Sequence, residues 1–137
     1  MKTVFLLFTL LVGKISIASA STSYVCSFDN GDSQILVKYD IASGTGTSTL
    51  TQTDTNKPET SSIIYSASVN KEFCAGLASQ GKDCNDYVVL CGAAPSNTVT
   101  TVAQCLSQGL IAIDKVNGSQ SAVIGQEASE ANCTLQN

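Results

Sequence analysis

Beyond residue 20, apolar and polar positions alternate through Ser23-Tyr-Val-Cys-Ser-Phe28 and again through Ser33-Gln-Ile-Leu-Val-Lys-Tyr39. Between the two runs lies Asp29-Asn-Gly-Asp32, and Asn-Gly flanked by alternating segments predicts a β-hairpin. A two-residue loop at Asn30-Gly31 sets Phe28 against Ser33, Cys26 against Ile35 and Tyr24 against Val37. Side chains of a strand point alternately to opposite faces, so one face carries Tyr24, Cys26, Phe28, Ile35, Val37 and Tyr39. Asp29 and Asp32 bring only two carboxylates to the turn, short of the six to eight oxygens calcium takes.

From Ala42 to Ser62 the pattern changes. Threonine occupies 45, 47, 49, 51, 53 and 55, with Gly44 and Gly46 before it and Pro58 after. A strand would put these hydroxyls on one face. Leu50 is the lone large apolar residue from Ala42 to Ser62, so the segment reads first as an exposed edge strand or long loop. A ladder for a flat ligand and an O-glycan patch are the other readings.

Ser61–Ser66 reads as a further strand, then a helix with Ser68 as N-cap, Val69, Phe73 and Leu77 as its stripe and Gly81 at its end. Asp86-Tyr-Val-Val-Leu-Cys91 is nearly all apolar, as a strand buried on both faces would be. Pro95, Ser96 and Asn97 introduce a second helix, with Val99, Val102, Ala103 and Leu106 inward and Gly109 closing it. Leu110–Val116 is a strand, Asn117-Gly118 turns it, and Ser121–Gly125 returns. Leu77-Ala-Ser-Gln-Gly81 and Cys105-Leu-Ser-Gln-Gly109 echo one another at the two helix ends. The order predicts an α+β sandwich: an antiparallel or mixed sheet with two short helices on one face, stapled by disulfides.

The first twenty residues are read as an export signal. A lysine precedes the apolar run Val4–Val12, and Ala18-Ser-Ala20 matches a signal peptidase site. Residues 21–137 then form one secreted domain. The chain has seven basic residues, all lysine, against eleven acids, for a formal charge of −4. Without Lys2 and Lys14 the balance is five lysines against eleven acids, a net −6. Phosphate neutralisation and a polybasic hold on lipid both need clustered cations, so neither nucleic acid nor a stable membrane association is expected.

All six cysteines, Cys26, Cys74, Cys84, Cys91, Cys105 and Cys133, lie beyond that site. An even count in an exported chain predicts three disulfides, among 15 pairings. The chain has no histidine, no C-x-x-C and no arginine. Imidazole-based catalysis, histidine metal sites and arginine clamps are thereby excluded, and no metal or cofactor is expected. Asp29, Asp32, Asp40, Asp54, Asp83, Asp86 and Asp114 could pair for glycoside hydrolysis by residue type alone. No motif joins them, and the expectation is a protein that is not an enzyme.

Tyr24-Val25-Cys26 soon after the signal, with a last cysteine near the C-terminus, resembles the small secreted cysteine-rich effectors of plant-associated fungi. The family with an aromatic-x-Cys start includes RNase-like effectors, and its end cysteines pair. Two cysteine-bearing helices on a sheet are also similar to killer-toxin-like α/β sandwich effectors. The resemblance implies a virulence-associated protein in the extracellular space, binding a host protein or cell-wall component. A toxin-like protein acting on membrane or wall and a glycan-binding surface protein are the alternatives. A Cys26–Cys133 bridge would also anchor the polar tail Gln126–Asn132, while the middle four cysteines lie close enough along the chain to satisfy one another. Asn117-Gly-Ser119 and Asn132-Cys-Thr134 both fit N-x-Ser/Thr, and Asn117, in a turn, is the expected glycan acceptor.

Overall fold

The computed structural model describes residues 21–28, 31–52, 54–92, 99–124 and 127–136. Met1–Ala20, Asp29 and Asn30 of the hairpin tip, Thr53 of the threonine series, and Pro95, Ser96 and Asn97 lie outside the described residues.

Eight strands follow one another: β1 (Thr22–Phe28), β2 (Ser33–Asp40), β3 (Thr45–Gln52), β4 (Pro58–Tyr65), β5 (Tyr87–Gly92), β6 (Leu110–Asp114), β7 (Ser119–Ile124) and β8 (Glu127–Gln136). Helix α1 (Ala67–Ala78) and a 3-10 turn at Cys84–Asp86 lie between β4 and β5, and α2 (Val102–Gln108) lies between β5 and β6. Each strand pairs antiparallel with its neighbours in the chain, and β8 returns to β1. The antiparallel sheet and two short helices are as expected, but the sheet closes into an up-and-down barrel where a sandwich was expected.

The closing element is the tail, expected to be held only by its cysteine. Glu127–Gln136 is a ten-residue strand. Its residues have low strand propensity, but pairing on both sides supplies what propensity does not. Ala131 and Cys133 turn inward while Asn132 and Thr134 stay exposed, so the segment keeps the period-two pattern of a half-buried strand.

The first hairpin has the expected register, with Cys26 opposite Ile35 and Tyr24 opposite Val37. Tyr24, Cys26, Ile35, Val37 and Tyr39 are buried inside the barrel, and Phe28 packs partly against them. Ile63, Val88, Leu90, Ile113, Ala131 and Cys133 complete this interior. An eight-stranded barrel is just wide enough for side chains to fill.

From Thr45 to Gln52 the threonine segment is a strand inside the sheet and not an edge, whereas Thr55 lies in a turn. β3 is paired along both sides, to β2 and β4. Thr47 and Thr49 lie opposite Ser62 and Thr60, and the hydroxyls of Thr49 and Thr60 are 3.0 Å apart.

Val88 and Leu90 of β5 face the barrel interior, whereas Val89 and Cys91 face out, under the helices. Val69, Val99, Cys105 and Leu110 complete this second core, flanked by Ile64, Phe73 and Val102. A strand covered on both faces reads as one apolar run, which is what Tyr87–Cys91 shows.

Several local expectations need correction. The N-cap of α1 is Ser66, not Ser68; its side chain accepts a hydrogen bond from the Val69 N–H. In α2 a capping box between Thr101 and Gln104 sets the helix phase. Cys105 and Val102 consequently face β5, while Ala103 and Leu106, expected inward, are exposed. Strand β6 ends at Asp114, so Val116 is exposed and the connection to β7 is the four-residue stretch 115–118. Gly118 takes the left-handed conformation there (φ 66°), and its N–H donates to the Asp114 carbonyl.

The cysteines pair as Cys26–Cys133, Cys74–Cys84 and Cys91–Cys105. The first links β1 to β8 inside the barrel, the second ties α1 to the 3-10 turn, and the third fastens α2 to β5. No helix among the described residues is long and apolar enough to cross a membrane.

Candidate functional site

An opening lies where β4 and β5 part company. Their pairing runs from Ile63 opposite Gly92 to Tyr65 opposite Leu90, and then Ser66 starts α1. Asn70, one turn into the helix, reaches back to the strand: its Nδ2 donates to the Val89 carbonyl and its Oδ1 accepts from the Val89 N–H. Cys74–Cys84 then draws the 3-10 turn beside the helix, and the Asp83 carboxylate caps that turn through the Asn85 N–H.

Two more contacts complete the rim. The Tyr65 N–H donates to the Gly44 carbonyl at 3.0 Å, folding the stretch 41–44 against the end of β4. The Lys115 N–H donates to the Asp86 carbonyl at 2.7 Å, carrying Lys115 to the 3-10 turn.

These elements enclose a cleft of about 390 Å³, lined by Tyr39, Tyr65, Phe73, Tyr87, Lys71 and Lys115 together with Asn70, Asn85 and smaller apolar groups. That volume falls within the range of roughly 300–1,000 Å³ typical of ligand pockets. Tyr39 and Val88 are buried, Tyr65, Phe73 and Tyr87 are half-buried, and both lysines are exposed. Six aromatic residues lie beyond residue 20, and four of them line this one cleft. Lys82 sits over the Tyr87 ring, 5.9 Å from its centroid.

The electrostatics favour an anion here. Two lysines and no acid line the cleft, and neither lysine forms an ion pair among the described residues. Three of the nearby acids, Asp40, Asp83 and Asp114, are engaged by their own loops. Asp40 accepts from the Ala42 N–H. Asp114 accepts from the N–H groups of Asn117 and Val116 and from the Asn117 carboxamide. Those hydrogen bonds, Asn117 first, and one from the Tyr87 hydroxyl, hold Asp114 below the usual carboxylate range.

Burial pushes the Tyr39 phenol up to about 12. Its ring lies parallel to that of Tyr24 at 6.4 Å, and its hydroxyl takes part in hydrogen bonds with Thr22 and Tyr24. Burial also raises Tyr24. Both phenols stay neutral around pH 7, so the floor adds no negative charge.

Of the residues singled out from sequence, the bridged Cys74 and Cys84 line the cleft, as do Tyr39, Phe73 and Leu77, which the pattern marked only as core positions. Cys26, Cys133, Cys91 and Cys105 belong to the cores. Asn117 is exposed in the β6–β7 connection, and Asn132 is exposed on β8, beside the bridged Cys133. Among the described residues no cluster of three or more histidines, cysteines or acids could hold a metal ion. The sequence did not mark the cleft's aromatics and lysines as a site, because they come from separate segments. Tyr39 lies near the end of β2, Tyr65 ends β4, Lys71 and Phe73 lie within α1, Tyr87 begins β5 and Lys115 follows β6. A second, smaller cavity of about 210 Å³ lies at the opposite barrel end, between Leu50, Glu59 and Ile111, and its charged residue is an acid. No protein family, no curated protein and no solved structure matches this chain significantly.

Proposed function

We propose that this chain is a secreted interaction protein of the effector kind, which captures a host or cell-wall component in the aromatic and lysine-lined cleft without converting it. The observation that carries this reading is the concentration of four aromatic side chains and two unpaired lysines in one opening of an otherwise acidic chain. Aromatic faces supply contact area at low entropic cost, and unpaired cations supply orientation. Three disulfides fit an oxidising compartment, where they would hold so small a barrel together.

The absence of tryptophan makes the test direct, since tyrosine emission is unmasked and three of the four tyrosines line the cleft. Solubilised host wall fractions and extracellular fluid should change that emission in a saturable way. A Lys71→Glu/Lys115→Glu protein should respond weakly or not at all. A response of equal strength in that variant would remove the cleft from the function. Export is tested separately: secreted material should begin at Ser21.

A further inference from the structure

Resting on that reading, we propose that the cleft recognises a ring that carries a carboxylate, the chemistry shared by the uronic-acid end of an acidic oligosaccharide and by a small aromatic acid. The half-buried rings of Tyr65, Phe73 and Tyr87 offer stacking surface, and Lys71 and Lys115 stand exposed at the same opening. A ring meets the first set and a carboxylate meets the second. At about 390 Å³ the cleft suits one or two rings and is too small for a folded partner's helix.

Charge placement narrows the choice further. The chain beyond residue 20 has only five lysines, and Lys71, Lys82 and Lys115 gather at this end. Acids outnumber lysines elsewhere, and Asp40, Glu72, Asp83, Asp86 and Asp114 stand near this end too. The pull on an anion is therefore local to the cleft lining, where two lysines and no acid meet. Of the acids at this end, Asp40, Asp83 and Asp114 accept backbone N–H bonds, and neither these nor Asp86 lines the cleft. Asn85, exposed on the rim, can bond ring hydroxyls.

The test is a titration of the oxidised protein, followed by calorimetry and tyrosine emission. The probes are trigalacturonate, its methyl ester, a neutral glucose trimer and 4-hydroxycinnamate. At least one of the two carboxylated rings should bind, and whichever binds more tightly identifies the source. The methyl ester and the neutral trimer should bind on the order of tenfold more weakly, the loss of one good charge-assisted contact. Lys71→Glu/Lys115→Glu should lose at least as much, whereas Lys38→Glu/Lys57→Glu, with the same change in net charge away from the cleft, should bind normally.

Equal binding of ester and acid, or equal loss in both lysine pairs, would overturn the proposal. If neither acid binds while wall fractions still act through Lys71 and Lys115, the ligand class is wrong and the broader reading stands. If nothing acts through the cleft, both fall.

Discussion

The carboxamide of Asn70 holds Val89 by both of its backbone groups, with Nδ2 to the Val89 carbonyl at 2.9 Å and the Val89 N–H to Oδ1 at 2.8 Å. The same Nδ2 also donates to the Ser66 carbonyl at 2.8 Å. Tyr65 opposite Leu90 is the last pair between β4 and β5, so Val89 has no strand partner on that side. One side chain takes the place of a strand residue. It lets the chain leave the sheet for α1 without stranding two polar groups beside a fully buried valine.

Asn70→Ala should therefore destabilise the protein by about 1–3 kcal/mol, the cost of leaving buried backbone groups unsatisfied. Denaturant unfolding would measure the loss, and hydrogen exchange should show the Val89 amide losing protection ahead of its neighbours. Because Asn70 also lines the cleft, the variant should weaken ligand binding too. Unchanged stability would mean that water replaces the clamp.

Glycines at two positions should respond with opposite sign. At Gly46 a methyl group would collide with the Lys38 carbonyl and press on Ile63 and on the Tyr39 backbone at 3.0 Å. Gly46 stands opposite Tyr39, where β2 and β3 run too close for a side chain. At Gly76, in helix α1, a methyl would meet nothing within 4 Å. Gly46→Ala should cost about 1–3 kcal/mol through overpacking. Gly76→Ala should stabilise by roughly 0.5–1 kcal/mol through helix propensity. Thermal melts of the two variants side by side decide this.

Much of the architecture is written in local patterns, and the closure is not. The hairpin register follows from Asn30-Gly31 and the alternation on either side of it. The two-faced burial of β5 follows from its unbroken apolar run, and the stripe Val69, Phe73, Leu77 follows from helical spacing. The barrel depends on Glu127–Gln136, whose residues carry little strand signal of their own and become a strand by lying between β7 and β1. Likewise β3 looked like an edge because its outward threonines and inward Gly46 and Ser48 leave one large apolar side chain, Leu50. The cleft was illegible for a similar reason. Tyr39, Tyr65, Phe73, Tyr87, Lys71 and Lys115 come from five segments, and no sequence motif joins them.

Alkaline pH should weaken the fold through Tyr39. Its pKa in the folded protein is about 12, against 10.0 for an ordinary tyrosine, because burial disfavours the phenolate. Between those values the unfolded chain binds fewer protons than the folded one, so stability falls as pH rises. The contribution is fully present below pH 10 and is lost through about pH 12. Ultraviolet titration should show the buried phenols, Tyr39 foremost, ionising late, along with alkaline unfolding. Tyr39→Phe should flatten the pH dependence in this window while removing the hydrogen bonds with Thr22 and Tyr24.

The three disulfides should rank by the loops they close. Cys26–Cys133 spans 107 residues, Cys91–Cys105 spans 14 and Cys74–Cys84 spans 10. In the loop-entropy account, closing about 100 residues is worth about 4.7 kcal/mol and closing about 15 is worth about 3 kcal/mol. Cys26→Ala/Cys133→Ala should therefore cost the most. It also frees β8, the strand that closes the barrel. Both sulfurs lie inside the barrel, so alanine leaves a void there as well, which adds to the loss. Cys74→Ala/Cys84→Ala should cost less in stability and more in binding, since that bridge holds the 3-10 turn beside α1 at the cleft. Denaturant unfolding of the pairwise variants gives the order, and tyrosine emission on ligand addition gives the binding. A Cys74/Cys84 variant that binds normally would mean that the cleft wall stands without its bridge. A Cys26/Cys133 variant no less stable than the others would mean that pairing of β8 with β1 and β7 closes the barrel unaided.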